Sequence, residues 1–389
     1  MSELEAVVKR EDLDVGDEIG SGGQAIVYRL LSHSQILFKE YRGVRIDPDG
    51  LDRLIDWRTG LNAGDRDLLD RSASWPRSRV VNDDATVGVL IPEAPECFKI
   101  DVRGSSKLNE VQYLAFGDRA RKLGLELPGP GERAGIIATL ADLLELFDRH
   151  RIVHGDISFK NVLWSTKTDA STYLLDCDGA LQGRHRSALP QVTTQHWTDP
   201  RVQKSTIARP DVDSDRLALG LLFFRTYFQV RANFTGTELQ FDVPSHPPLN
   251  RSVDTLIEKT LHSSSGRSSA SEWQRIRHLS TFLEQSGYSE NVPAASSNGT
   301  HSAPTYGVKR IPSQGVTSAP PTYDPNAPRP SSPEPAKSTV ASTATTSTKG
   351  LKSSSLNKPL RQNRVLQSLL ALCVILAVVV VLLTLGVFA

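Results

Sequence analysis

Short apolar runs with β-branched and aromatic residues dominate the first hundred positions, and apolar residues at helical spacing dominate those that follow. Between Asp14 and Leu30, two such runs flank the stretch Ile19-Gly20-Ser21-Gly22-Gly23-Gln24-Ala25-Ile26-Val27-Tyr28. This predicts two strands joined by a glycine-rich turn. Ile36-Leu37-Phe38-Lys39-Glu40-Tyr41 predicts a third strand, and Leu51 to Ser72 has helical spacing. Val80-Val81 and Thr86 to Ile91 predict the next two strands, closing a small antiparallel sheet, and Pro92-Glu93-Ala94-Pro95 is a connector. From Ala134 to Arg149, Ile136, Ile137, Leu140, Leu143, Leu144 and Phe147 recur as on one face of an amphipathic helix. That helix leads into His154-Gly155-Asp156-Ile157-Ser158-Phe159-Lys160-Asn161, and Val162-Leu163-Trp164 reads as a strand. Leu174-Leu175 leads into Asp176-Cys177-Asp178-Gly179, and Asp215 to Phe224 reads as a buried helix. Helical patterns continue through Trp273 and Phe282, so the expected class is α+β, a small sheet followed by a mainly helical part.

The pattern breaks after residue 285. Eleven of the 23 prolines lie between Ser289 and Pro359, among many Ser and Thr and few large apolar residues. Such a composition cannot build a core, so 286–364 is expected to be a disordered linker. PxxP spacings such as Pro325 to Pro328 could bind a partner, although chance occurrence in a Pro-rich stretch is the better explanation. Leu369 to Ala389 is 21 residues without a charge. At ~1.5 Å rise per residue such a helix crosses the roughly 30 Å hydrocarbon core. Lys352, Lys358, Arg361 and Arg364 precede it, which leaves the N-terminal part in the cytoplasm. The expected organisation is therefore 1–285 as one folded domain, 286–364 as linker, and 365–389 as a single-pass membrane anchor at the tail.

A net charge of +1 gives no field that would attract nucleic acid. Cys97, Cys177 and Cys373 show no metal spacing and no disulfide framework, which suits a reducing cytoplasm. Met1 to Leu13 is charged and carries no secretory signal.

An Asp, an Asn five residues later and an Asp after the next strand suit phosphoryl transfer. Asp156 accepts or orients a hydroxyl proton, while Asn161 and Asp176 are hard oxygen ligands for Mg²⁺. Asp178 competes with Asp176 as ligand, and the two apolar residues directly before Asp176 favour the first. The glycines at 20, 22 and 23 let backbone amides approach phosphate oxygens. A dinucleotide-binding turn would open a helix, whereas β-branched residues follow here.

In this order the motifs resemble those of the protein kinase superfamily, over about residues 10 to 285. His154-Gly155-Asp156…Asn161 is similar to H-R-D-L-x-x-x-N, and Asp176-Cys177-Asp178 to D-F-G. The glycine turn is similar to G-x-G-x-x-G-x-V, with Ala25 at the third glycine. The resemblance implies a bilobal fold that uses ATP and Mg²⁺. Gly20, Ser21, Gly22, Gly23 and Val27 would line the nucleotide, Glu93 would sit in the adenine-contacting hinge, and Lys39 would pair with the α- and β-phosphates. Asp156 would be the base and Asn161 and Asp176 the metal ligands. Residues 51–72 hold no Glu to pair with Lys39, so Asp65 is chosen, with Asp67 and Asp56 as alternatives. Asp215 either bonds the backbone of the catalytic loop or joins Asp213 and Ser214 in capping its helix.

Several positions depart from the motifs. Gly155 stands in place of the usual Arg, as in aminoglycoside-type kinases, and this removes the cationic pocket for a phosphate. Phosphorylation at Thr193 or Thr194 is therefore not expected to act as a switch. Ser158 replaces the usual Lys, and Lys160 would supply the ammonium from two residues further on. Asp199-Pro200-Arg201 resembles A-P-E with the Glu lost, leaving Asp199 as the substitute partner for Arg267. The implied function is a membrane-tethered serine/threonine protein kinase acting on protein substrates, its own linker included. The alternatives are a membrane-tethered pseudokinase scaffold and a small-molecule kinase.

Overall fold

The computed structural model describes residues 5–167, 172–230 and 249–286, and the backbone of 233–235 and 238–240. The expected linker beyond Ser286 and the expected membrane helix lie outside the described residues. Among those described, no helix is long and apolar enough to cross a membrane.

The chain is a mixed α+β structure. Strands β1 (Val7–Lys9), β2 (Val15–Ser21), β3 (Ala25–Leu30), β4 (Ile36–Tyr41), β5 (Ser78–Asn82) and β6 (Ala85–Pro92) form one sheet in the order β1-β5-β6-β4-β3-β2. Neighbours are antiparallel except β1, which runs parallel to β5, so the sheet is not wholly antiparallel as the sequence implied. A three-residue strand is too short to leave a periodic signal. Val8 and Leu13 nevertheless pack on Leu30, Ile36, Phe38, Val80 and Leu90, which fixes the sheet's outer face.

Helices α1 (Pro48–Gly60) and α2 (Ala63–Ser72) connect β4 to β5. The single helical stretch expected over 51–72 breaks at Asn62, whose side chain accepts the amide of Asp65 and starts α2. Trp57, Trp75 and Phe147 then form an aromatic cluster with ring centroids 4.8 to 6.1 Å apart. The Trp75 indole N–H donates to the Leu54 carbonyl at 2.9 Å, so its burial leaves no orphan donor.

Beyond the sheet come the hairpin β7 (Lys99–Val102) and β8 (Ser105–Leu108), and short helices α3 (Gln112–Ala115) and α4 (Gly117–Lys122). Helix α5 (Pro130–His150) starts with Pro130, and Glu132 accepts the Gly129 amide at 2.9 Å. It is the core of the helical part. Its Ile136, Ile137, Leu140, Leu143, Leu144 and Phe147 are all buried, as the spacing predicts, and Ala138, Ala141 and Leu146 are buried too. Each fully buried large apolar side chain contributes roughly 1.5–3 kcal/mol, which makes α5 the support for everything that follows.

After α5 come β9 (Ile152–Val153), β10 (Val162–Trp164), β11 (Thr172–Leu174) and β12 (Leu181–Gln182), paired as β9–β12 and β10–β11. Then follow α6 (Pro200–Gln203), α7 (Val212–Tyr227), the strand pair β13 (Asn233–Thr235) and β14 (Glu238–Gln240), α8 (Arg251–His262), α9 (Ala270–Trp273) and α10 (Leu279–Gln285). Asp211 caps α7 by accepting the Ser214 amide, and the Ser214 hydroxyl accepts the Asp211 amide in return at 3.2 Å, so of the expected capping residues Ser214 takes part and Asp213 and Asp215 do not.

The segment between β12 and α7 is fastened by charge. Asp199, fully buried, accepts from Arg267, from Arg201 at 2.7 Å and from the Ser214 hydroxyl at 3.1 Å. Arg201 also reaches Asp211 at 2.6 Å. Asp199 is thus the partner of Arg267, as expected. Burial alone would raise its carboxyl pKa; the Arg267 and Arg201 bonds outweigh that and hold it well below the usual carboxylate range.

Asp199→Ala leaves the buried Arg267 without its counter-charge and should cost about 3–5 kcal/mol in urea unfolding. The contribution of Asp199 should be full above the ordinary carboxyl pKa of about 4 and lost only in stronger acid. An Asp199→Ala/Arg267→Ala double variant should lose less than the two single changes added together.

Candidate active site

A cleft of about 640 Å³ opens between the β2–β3 hairpin and the loops that follow β9 and β11. Gly20, Ser21, Gly22, Gly23 and Val27 line it from the hairpin. Lys39 and Tyr41 line it from β4, and His154, Asp156, Asp176 and Asp178 from the loops. Leu189 to Val192 close one side, where the Gln24 side chain donates to the Pro190 carbonyl at 3.3 Å.

The hairpin forms because β-branched residues on β3 pair with β2, while glycines make the turn. A Cβ on Gly20 or Gly23 would meet nothing within 4 Å, so these two present bare backbone to open space. The Gly22 amide is used within the turn, donating to the Ala25 carbonyl at 2.8 Å. Gly22 therefore contributes room rather than a free donor.

The loop His154 to Asn161 is positioned by hydrogen bonds. Asp215, buried in the first turns of α7, accepts the His154 amide at 2.6 Å and the Gly155 amide at 2.9 Å. The backbone-anchor alternative is therefore the one realised. His154 Nδ1 accepts the Asp156 amide at 3.3 Å, so the ring proton sits on Nε2, which bonds the Leu175 carbonyl at 2.9 Å. The Leu175 amide in turn donates to the Asn161 carbonyl at 2.8 Å, tying the end of β11 to the loop.

Both carboxylate oxygens of Asp156 are held, and one of them accepts a single bond. One carboxylate oxygen accepts the Thr194 amide at 2.9 Å and its hydroxyl at 2.8 Å, and the other accepts the Asn161 side-chain amide at 3.1 Å. Burial raises the Asp156 carboxyl pKa above its ordinary value, against the opposing pull of these bonds. Thr194 thus points its hydroxyl at the carboxylate. The Asn161 amide nitrogen also bonds the Asp156 carbonyl at 2.8 Å, so it serves the loop through both bonds.

Lys39 lies 2.9 Å from Asp176 and 2.8 Å from Asp178. Burial disfavours its charge, but the two carboxylates outweigh burial and raise its pKa. The helix acids do not reach it. Asp65 bonds Arg149 on α5 at 2.9 and 3.1 Å, Asp67 bonds Arg71 at 2.7 Å, and Asp56 is exposed. The expected Lys39–Asp65 pair is thus corrected: the turn at Asn62 aims Asp65 at α5, away from β4. Asp178 accepts the Tyr41 hydroxyl at 2.8 Å with its other oxygen. Tyr41 was missed, although a residue two positions from Lys39 on a strand must share its face.

Asp176 has φ of +55°, a left-handed conformation that costs a non-glycine residue roughly 1 kcal/mol or more. Such strain concentrates at functional sites. Its side chain is more than half exposed, and one oxygen remains beyond the one that Lys39 takes. Burial raises its pKa, but Lys39 outweighs this and lowers it. Among the described residues, no group of three or more His, Cys, Asp or Glu could hold a metal. Asn161 and Asp176 are two hard oxygen donors that fit Mg²⁺ only if phosphates and waters complete its shell, which is how Mg²⁺ is usually held.

Two expected residues lie elsewhere. Glu93 pairs with Arg29 at 3.1 Å and Lys99 at 3.0 Å, and lines a separate cavity of about 510 Å³ behind the end of β6. Lys160 is exposed beside Glu110 and does not line the cleft. Gly155 has φ of +82°, and a Cβ there would stand 2.8 Å from the Gln191 side-chain oxygen. Gln191 bonds the Gly179 carbonyl at 2.9 Å, so a Cβ at 155 would displace that side chain, and the left-handed backbone is what favours glycine there.

Burial pushes the Asp215 carboxyl up to about 6, against the opposing amide bonds of Gly155 and His154. The folded chain thus holds this proton more tightly than the unfolded one. Asp215 should remove stability on the order of 3 kcal/mol as pH rises from about 4 to about 6, with no further change above. That slope should vanish from the unfolding free energy of Asp215→Asn, measured side by side with wild type.

No family model and no curated protein matches this chain.

Proposed function

We propose that the chain is an ATP- and Mg²⁺-dependent protein kinase directed at Ser or Thr, with a two-lobed kinase-like fold. The observation that carries this reading is the meeting of Lys39, Asp156 and Asp176 in one cleft below a bare glycine hairpin, with Asn161 buried behind Asp156 and bonded to its carboxylate. ATP with Mg²⁺ supplies the transferable phosphoryl group. Asn161 and Asp176 hold the metal, Lys39 neutralises phosphate charge, and Gly20 and Gly23 leave backbone space for the phosphates. Asp156 orients the incoming hydroxyl and takes its proton. Its raised pKa suits that exchange, and the Thr194 and Asn161 bonds fix its direction. The proposed substrates include the chain's own Ser/Thr-rich residues 286–364, and residues 365–389 attach the protein to a membrane.

One observation favours a second reading. Among the described residues that line the cleft, Lys39 is the only lysine or arginine, because Lys160 lies outside it. A phosphoryl group in transfer would have little cationic support, as in a scaffold that binds nucleotide without turning it over.

Incubating the detergent-solubilised chain with labelled ATP, Mg²⁺ and a generic protein substrate separates the two readings. The kinase reading expects labelled protein; nucleotide binding without labelling favours the scaffold. Asp156→Asn should cut transfer by ~10²-fold or more. Asp176→Ala should also weaken Mg²⁺-dependent nucleotide binding, and full activity in both variants would refute the assignment. For the membrane, the full chain should float with liposomes, and deletion of 366–389 should release it into the soluble fraction with nucleotide binding intact.

A further inference from the structure

Helices α1 and α2 carry six carboxylates, and none serves Lys39. Asp52 bonds Arg79 at 2.7 Å, Asp65 bonds Arg149, Asp67 bonds Arg71, Asp70 bonds Arg58 and Arg77, and Asp49 and Asp56 are exposed. Helix α1 is instead fastened to the segment after β12. The Asp47 amide donates to the Ala188 carbonyl at 2.8 Å, and a Cβ on Gly50 would come within 2.7 Å of the Ala188 Cα.

The two acids that do reach Lys39 differ in kind. The Asp178 side chain is 1% exposed and its two oxygens are held by Lys39 and by Tyr41, both at 2.8 Å. It sits in a tight turn, Cys177–Gly179, whose first residue is also buried. Asp176, one oxygen free and 57% exposed, can turn toward a metal without releasing Lys39 from its other partner. A lysine ammonium on its flexible stem is better ordered by an enclosed counter-charge, and Asp178 is the enclosed one.

We propose that Asp178, clamped by Tyr41, is the positioning residue that aims Lys39 at nucleotide phosphates, taking the place of any helix acid. Lys39 then stays in register whatever the placement of α1. The inference rests on the phosphotransferase reading above for its role, and on geometry alone for its contact.

The test uses the full chain in detergent, with two readouts. In ATP titrations, Asp178→Asn removes the charge but keeps the shape, and should raise the ATP KM at least tenfold. Asp49→Asn and Asp56→Asn should leave it at the wild-type value. Tyr41→Phe, which only frees one oxygen of Asp178, should shift the KM in the same direction by a smaller factor; it stands in for Asp178→Asn if that variant does not fold. The second readout needs no nucleotide: labelling of Lys39 by an amine-reactive ester at pH 9, quantified by peptide mass spectrometry. Lys39 should be protected in wild type and labelled several-fold more in Asp178→Asn or Tyr41→Phe. Unchanged labelling in both, or a rise only in Asp176→Asn, would overturn the proposal even if the chain proves inactive. If wild type transfers phosphate and Asp178→Asn keeps its KM, the proposal falls while the kinase reading stands.

Discussion

The loop that carries Asp156 has no helix or strand of its own, and a single buried carboxylate compensates for that. Asp215 accepts two successive backbone amides, at His154 and Gly155, from a rigid position in α7. From there the order is passed on by hydrogen bonds: the His154 ring to Leu175, the Leu175 amide to Asn161, and the Asn161 side chain to Asp156. Each bond satisfies a group that would otherwise be orphaned in a partly buried loop, where an unpaired donor costs on the order of 1–3 kcal/mol. The geometry of the site is therefore inherited from the packing of α7 on α5.

Apolar burial and buried charge divide the work. Helix α5 is specified by shape, with side chains from Ile136 to Phe147 filling the core. Loops cannot be specified that way, since they offer few apolar residues. They are held by ion pairs with little exposure, Lys39 with Asp178 below the sheet and Arg267 with Asp199 beside α7. A buried pair of this kind gives no great net stability, but a misplaced loop would leave a charge buried alone.

The parts of this arrangement that repeat along the chain were legible in the sequence. Period-two and helical spacing place β3, β4, β6 and α5, and the Asp215 anchor and the Asp199–Arg267 pair were both among the expectations. What was not legible depends on where a chain turns in space. Gly60 and the capping residue Asn62 signal a break within Leu51 to Ser72, but nothing there announces that the break sends Asp65 to Arg149. Asp178 was weighed only as a metal ligand, because a tight turn that folds it back under Tyr41 has no periodic trace. Glu93 and Lys160 were placed by motif spacing, which says which residue follows which but not what its side chain meets.

Gly155 shows how a backbone conformation can exclude a side chain. Genetically, a glycine becomes an arginine through one substitution, and arginine is what the motif it resembles would carry there. Here the backbone has taken a left-handed turn and Gln191 has occupied the adjoining space, tied to Gly179. An arginine there would carry the cost of a left-handed backbone and would push the Gln191 side chain off the Gly179 carbonyl. A charged side chain beside Asp156 would therefore have to overcome the loop's own geometry before it could bind anything.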